Sequence, residues 1–144
     1  MRPQQAVLNL SMLKGNSRQL FFLFLIFVGI AALVVLQSVR ISQVKNRDTI
    51  RKQDLAKVQV FLESYYAKNK SYPGANFQRE LPKDPISLLN YFYAASTDRQ
   101  KYHLLARIEN TEDTKYRKGL EGNCGASCTY GVASPGANIT EILK

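Results

Sequence analysis

Four carboxylates in one polar segment are the side chains best suited to hold a metal or to transfer protons; they are Glu109, Glu112, Asp113 and Glu121. Oxygen ligands in a loop can hold Ca²⁺, but this spacing lacks the alternating pattern of an EF-hand loop. We therefore expect a solvated loop, with calcium binding as the alternative. The chain also has no Gly-rich phosphate loop and no paired thiol–His arrangement. The sequence thus predicts no cofactor and no metal site, and we expect that the protein is not an enzyme.

The only two cysteines, Cys124 and Cys128, lie close together in a Gly-rich loop. A lone close pair in a small domain favours a disulfide formed in an oxidising compartment. Two reduced thiols are the alternative. A zinc site is a weaker interpretation, because two thiolates alone make a poor site and the only histidine, His103, falls in a predicted strand.

Six tyrosines form the third set of candidate functional residues: Tyr65, Tyr66, Tyr72, Tyr91, Tyr93 and Tyr102. Such rings can stack on sugars or on nucleic-acid bases. They can also cover the edge of a small core while their hydroxyls reach water. We expect the second arrangement, and hence no binding site made of these rings.

The elements that must position these groups begin with a long apolar run, Leu20 to Leu36, which has seventeen residues and no charge. At about 1.5 Å per residue a helix of this length spans roughly 26 Å, near the short end for a bilayer. A signal peptide would have a shorter apolar region and a cleavage site at its end. We expect a basic tail over residues 1–19, then a retained single-pass transmembrane helix over residues 20–39 that contacts membrane lipids.

The formal charge of +9 is concentrated around this run, which favours contact with anionic head groups. We do not expect nucleic-acid binding from a basic balance alone. More Lys and Arg lie just after the run than before it, so the positive-inside rule would place the following domain in the cytoplasm. The cysteine pair favours the opposite side of the membrane. The residues alone leave the orientation open.

Beyond the run, apolar residues recur at helical spacing at Val44, Thr49 or Ile50, Leu55, Val58, Phe61 or Leu62, and Tyr65. The pattern predicts an amphipathic stem helix over residues 40–70 that packs on the following domain through its last turns. Residues 39–51 are expected to be too polar for burial in the same molecule. Lys52, Lys57 and Glu63 are expected to be solvated.

Residues 71–144 predict a small head domain. We expect a hairpin of strands 90–96 and 101–109, a polar loop over 110–126 and a third strand over 128–134. Packed against the stem, these strands predict an α+β fold with an antiparallel sheet of about three strands and one buried sheet face.

The exit of the stem carries the most specific motif, Tyr65-Tyr66 followed by Asn69 and by Tyr72-Pro73. Leu81-Pro82-Lys83-Asp84-Pro85 follows it, and Tyr130 to Pro135 closes the domain. Together these segments resemble the type IV pilin superfamily, and most closely the major pseudopilins of type II secretion systems. The similarity covers about Leu20 to Pro135.

The resemblance implies a pilin-like fold and a subunit that waits in the inner membrane before it joins a helical fibre. It implies an extracytoplasmic C-terminal domain, and an extracellular fibre once assembled. The implied partners are copies of the chain, other pilin-like subunits, an assembly-platform membrane protein and, if the chain is processed, a prepilin peptidase.

The leader departs from the family pattern, in which a peptidase cleaves after a Gly that precedes Phe-Thr-Leu-Ile-Glu. Here the matching position is Gly15–Asn16, and Ser17, Arg18, Gln19 and Leu20 follow. The Phe after the Gly and the Glu at the fifth position are absent. Two hypotheses therefore stand: a fibre subunit assembled through its apolar helix, or a membrane-anchored pilin-fold scaffold or binding protein that does not polymerise.

Overall fold

The protein is described by a computed structural model over residues 17–140. The chain divides into two compact units, the first ending at Ile41 and the second beginning at Ser42. One helix, α1 (Ser17–Asn69), is followed by a 3₁₀ helix (Ala75–Glu80) and five strands. The strands are β1 (Phe92–Ala95), β2 (Tyr102–Ala106), β3 (Leu120–Asn123), β4 (Ser127–Cys128) and β5 (Tyr130–Ala133). The fold is α+β, with a long N-terminal helix and a small antiparallel sheet of three strands, as predicted.

The first unit holds the apolar part of α1. Its large apolar side chains from Leu20 to Leu36 are 46 to 70% exposed. Gly29 is the only glycine between those two positions, and no proline interrupts them. The segment is long and apolar enough to be a candidate membrane span by length and composition.

The three-stranded sheet of the second unit has the order β1-β2-β5, with both pairs antiparallel. The predicted β1–β2 hairpin is present, with Ala95 opposite Tyr102. Its turn is closed by hydrogen bonds between the N–H of Ser96 and the carbonyl of Lys101 (2.9 Å) and between the N–H of Arg99 and the carbonyl of Ser96 (2.8 Å).

One face of this sheet packs on α1 through a core of apolar side chains. Leu55, Val58 and Leu62 on the helix meet Tyr102 and Leu104 on β2, and all five are buried. The helical spacing of three and four residues therefore marks the side of α1 that faces the sheet.

The other face of β2 is also covered, so the prediction of a single buried sheet face is wrong. Leu105 points away from α1 and is buried against Leu120 and Cys128, with Phe92 beside them. Those contacts come from the β3–β4 hairpin, part of which the sequence predicts as a polar loop over residues 110–126. Leu120 is the one large aliphatic residue in that stretch, too little for a strand pattern to be recognised.

The predicted strand over residues 128–134 is divided into β4 and β5 at Thr129. Thr129 bonds to the end of β2 and to the residues that follow it. Its N–H donates to the carbonyl of Ala106 (3.0 Å). Its hydroxyl donates to the carbonyl of Ile108 and accepts the N–H of the same residue, both at 2.9 Å. The change of partner at Thr129 lets the chain pass from the small β3–β4 hairpin to the main sheet.

Candidate functional site

The most distinctive polar feature of the second unit is an ionic cluster centred on Arg51. The guanidinium of Arg51 donates to Asp84 Oδ2 (2.5 Å), to Asp48 Oδ1 (2.8 Å) and to Glu109 Oε1 (2.7 Å). Its side chain is only 4% exposed. Because Asp48 and Arg51 are both buried, the expectation that residues 39–51 are too polar for burial is wrong at these two positions. Their charges are buried as mutually bonded pairs.

Asp48 extends the cluster to the backbone that follows β2. Its carboxylate accepts the N–H of Glu109 at 3.0 Å and the N–H of Asn110 at 2.8 Å. Arg47 completes the arrangement with two parallel bonds to Glu109, at 2.9 and 2.6 Å. The cluster therefore joins one turn of α1 to two other segments, at residues 84 and 109–110.

The pKa values of the carboxyl groups follow from these bonds. Burial opposes the ionisation of Asp84, but the bonds from Arg51 and from the N–H groups of Ser87 and Ile86 outweigh it and lower the pKa of Asp84 to about 2. The bond from Arg47 is the main cause that lowers the pKa of Glu109 to about 2. Burial disfavours the charge of Arg51, yet its three carboxylate partners raise its pKa. All these groups are charged at neutral pH.

We expect the stability of the second unit to fall in acid because of this cluster. A lowered native pKa stabilises the fold above the unfolded value, near 4, and this stability is lost as the pH falls from about 5 towards 2. Asp84 alone accounts for a loss on the order of 2 kcal/mol. Denaturant unfolding measured from pH 7 to pH 2 gives the slope of the unfolding free energy against pH. An Asp84→Asn, Glu109→Gln double variant should be less stable at pH 7, and its stability should depend less on pH across this range. An unchanged slope would show that these two carboxylates do not cause the pH dependence.

The four carboxylates predicted as candidate ligands do not converge. Glu109 is held by the two arginines, and Asp113 pairs with Lys52. Glu112 and Glu121 are exposed. Over residues 17–140, no group of three or more His, Cys, Asp and Glu side chains is arranged to hold a metal. Calcium binding therefore gains no support from the geometry of this part of the chain.

All three side chains expected to be solvated have a polar partner within the second unit, but only Lys57, which pairs with Asp54, is exposed. Lys52 is paired with Asp113, and its ammonium lies 5.6 Å from the ring centre of Tyr130. Glu63 accepts hydrogen bonds from the hydroxyls of Tyr72 (3.1 Å) and Tyr102 (3.0 Å). Solvation was the wrong prediction for both. Both lie beside the buried stripe of α1, where a long side chain can reach the sheet and its loops.

The buried tyrosines are core residues, as predicted. Their hydroxyls were expected to reach water, but they bond to protein groups instead. The hydroxyl of Tyr93 donates to the carbonyl of Pro73 (2.9 Å), and that of Tyr91 donates to Asp54 (3.0 Å). Burial is the largest cause that raises the pKa of these phenols and of Tyr72 and Tyr102. Tyr65 and Tyr66 are only partly buried. The rings therefore order the core and do not form an open stacking platform.

Cys124 and Cys128 are joined by a disulfide across the β3–β4 hairpin, with their Cα atoms 5.3 Å apart. Cys128 is fully buried beneath β2, and Cys124 lines an open cleft of about 260 Å³ beside Arg51 and Asp84. His103 lies elsewhere, with its Nε2 atom 3.0 Å from the carbonyl oxygen of Asn138. The bridge holds a hairpin that has few other apolar anchors.

Removing this bridge should loosen the hairpin. A Cys124→Ser variant should lose about 2 kcal/mol, because the closed loop is short and constrains the unfolded chain only modestly. Limited proteolysis between Gly119 and Cys128 should be faster in the variant than in the oxidised wild type, and the reduced wild type should match the variant. Equal protease resistance in all three would refute a structural role for the bridge.

The predicted cleavage position, Gly15–Asn16, and most of the basic tail over residues 1–19 lie outside the described residues. Neither protein-family models, nor characterised proteins, nor solved structures gave a match to this chain.

Proposed function

We propose that the protein is a structural subunit of a type IV pilus-like or type II secretion pseudopilus-like fibre, anchored and then assembled through the apolar part of α1. The observation that carries the proposal is the exposure of that segment: its large side chains from Leu20 to Leu36 have no covering from the described chain. The same helix later contributes its buried stripe to a small α+β head, the arrangement that the pilin resemblance implies.

The apolar segment needs a non-aqueous environment. Each large apolar side chain contributes roughly 1.5–3 kcal/mol when it leaves water, so a run of this length favours burial by tens of kcal/mol. A bilayer provides that environment for a single subunit, and a bundle of identical helices provides it in a fibre. A segment of this kind suits a protein that moves from the first environment to the second.

The ionic cluster suits a subunit whose head must stay attached to its helix during assembly. Asp48 and Arg51 tie α1 to the segments at residues 84 and 109, in addition to the apolar core. These bonds are made by side chains of the helix itself. Apolar packing and several charge-assisted hydrogen bonds therefore both resist a force that would separate α1 from the head.

We place the subunit in the inner or cytoplasmic membrane with its C-terminal head on the extracytoplasmic side. The disulfide supports this side, since such bridges persist in oxidising compartments. The proposed partners are membrane lipids, copies of the chain, other pilin-like subunits, an assembly-platform protein and, if processed, a prepilin peptidase. The role is structural and not catalytic.

The second candidate is a single-pass, pilin-fold scaffold that does not polymerise. The leader favours it: Asn16 stands where the family has Phe, and Leu20 stands where it has Glu. In fibres of this class the missing Glu would pair with the N-terminus of a neighbouring subunit, as the resemblance implies.

N-terminal mass analysis of the full chain, recovered separately from membranes and from a sheared extracellular fraction, separates the two. A subunit that begins with a methylated Asn16 and occurs in the sheared fraction supports the fibre. An intact Met1 found only in the membrane fraction supports the fixed scaffold. A Gly15→Val variant is the control, because it should block cleavage and abolish the sheared pool only if the fibre route operates.

A further inference from the structure

A patch of aliphatic side chains on the second unit has no role in the function proposed above. It consists of Ile86, Leu88 and Leu89, which are 55, 67 and 50% exposed. We call these three residues the 86–89 patch. Exposed large apolar side chains are ordinary when scattered, whereas these three are concentrated within four consecutive residues of one turn.

The backbone under the patch is held in one conformation. Asp84 Oδ1 accepts the N–H groups of Ile86 and Ser87, both at 2.9 Å. The carbonyl of Asp84 accepts the N–H of Leu88 (3.0 Å), and the N–H of Asp84 donates to the carbonyl of Leu89 (2.8 Å). Leu88 has a φ of +57°, a conformation that a leucine rarely adopts. Asp84 is in turn fixed by Arg51, so the patch is ordered before it meets any partner.

Two cationic side chains, Arg107 and Lys83, lie close to the patch. Arg107 lines the same cleft as Ile86, and Lys83 precedes the turn. Neither cationic side chain has a hydrogen bond or an ion pair with another residue of the described range 17–140. The carboxylates of Asp84 and Glu109 face that cleft but are held by Arg51 and Arg47, and Glu80 is the nearest exposed acid along the chain.

We propose that the 86–89 patch docks on an anionic bilayer surface, with its aliphatic side chains at the boundary of the acyl chains and with Lys83 and Arg107 against lipid head groups. Aliphatic side chains flanked by cations are complementary to such a surface, whereas a peptide groove would need polar groups that fix the orientation of a ligand. The inference rests on the proposed membrane anchor, because tethering by α1 keeps lipid at a high effective concentration near the head. The head would then have a lipid-bound state before assembly.

The chain has no tryptophan, so a single Trp reports its own surroundings. Leu88→Trp in the full chain, reconstituted into anionic vesicles whose acyl chains carry bromine, should show blue-shifted emission that the bromines quench. In zwitterionic vesicles, and in a Leu88→Trp variant that also carries Lys83→Glu and Arg107→Glu, we expect a several-fold loss of quenching. Val60→Trp is the matched control on an exposed position of the same unit, and it should not be quenched.

A Phe27→Trp variant separates a failure of this inference from a failure of the anchor. If the Phe27→Trp protein is quenched while the Leu88→Trp protein emits as in water without quenching, the anchor stands and lipid docking is overturned. Blue-shifted emission from the Leu88→Trp protein that rises with the protein-to-lipid ratio, without bromine quenching, also overturns it and assigns the patch to contact with a second copy. Absence of quenching at both positions refutes the anchor as well as the docking.

Discussion

An Arg51→Met variant should lose 3 to 5 kcal/mol of unfolding free energy, on the order expected when one partner of a buried ion pair is removed. Methionine fills a similar volume but leaves the carboxylates of Asp48, Asp84 and Glu109 without their shared cation. Domains of this kind are stable by only about 5–15 kcal/mol, so the loss is a large fraction of the total. Denaturant unfolding of the full chain in detergent, followed by the near-ultraviolet circular dichroism of the buried tyrosines, measures it.

Arg47→Met is the matched control. Arg47 carries the same charge one helical turn earlier, but its side chain is 27% exposed and Glu109 keeps its bond to Arg51. We expect a loss of about 1 kcal/mol or less. Adding Asp84→Asn to Arg51→Met should recover part of the stability, since it removes a buried unpaired charge. If both arginine variants are equally stable, the buried ionic cluster centred on Arg51 does not stabilise the second unit.

The signal for the buried part of this cluster was present in the sequence. Asp48 and Arg51 lie at the same spacing of three and four residues as Leu55, Val58 and Leu62, so they share one face of the helix. Their polarity was given more weight than their spacing, and both residues were therefore predicted to be exposed to solvent. A charged pair placed on an apolar stripe could equally have been interpreted as a buried pair that needs further partners.

The identity of those further partners could not be predicted. Asp84 and Glu109 are 33 and 58 residues away from Arg51 along the chain, and only the fold brings them together. The β1–β2 hairpin, by contrast, was predictable because its strands and its turn are local in sequence. The β3–β4 hairpin was not predicted because Leu120 is buried by its contact with Leu105 on β2, a contact between separate segments that no local pattern shows.

The largest expected effect on localisation is that of Val35→Asp. Val35 lies in the apolar run of α1 and is 61% exposed, so its side chain would face lipid or a neighbouring helix. A carboxylate costs about 2.5–3.5 kcal/mol at the centre of a membrane helix on insertion scales and less near its ends. Val35 is next to the last residue of the run, so the substitution also cuts the uncharged apolar stretch back to residues 20–34. The run is already near the minimum length for a span, so we expect the variant to be lost from the membrane fraction. Alkaline carbonate extraction followed by immunoblotting of pellet and supernatant measures this.

Val60→Asp makes the same change on the same helix and separates insertion from general misfolding. Val60 is 68% exposed and lies in the second unit, among turns that carry charged residues. A carboxylate there remains in water, so membrane retention should match the wild type. The contrast between the two substitutions assigns the apolar segment to lipid. If Val35→Asp fractionates with the membrane as fully as Val60→Asp does, the segment is not a span, and both the fibre and the scaffold hypotheses lose their common basis.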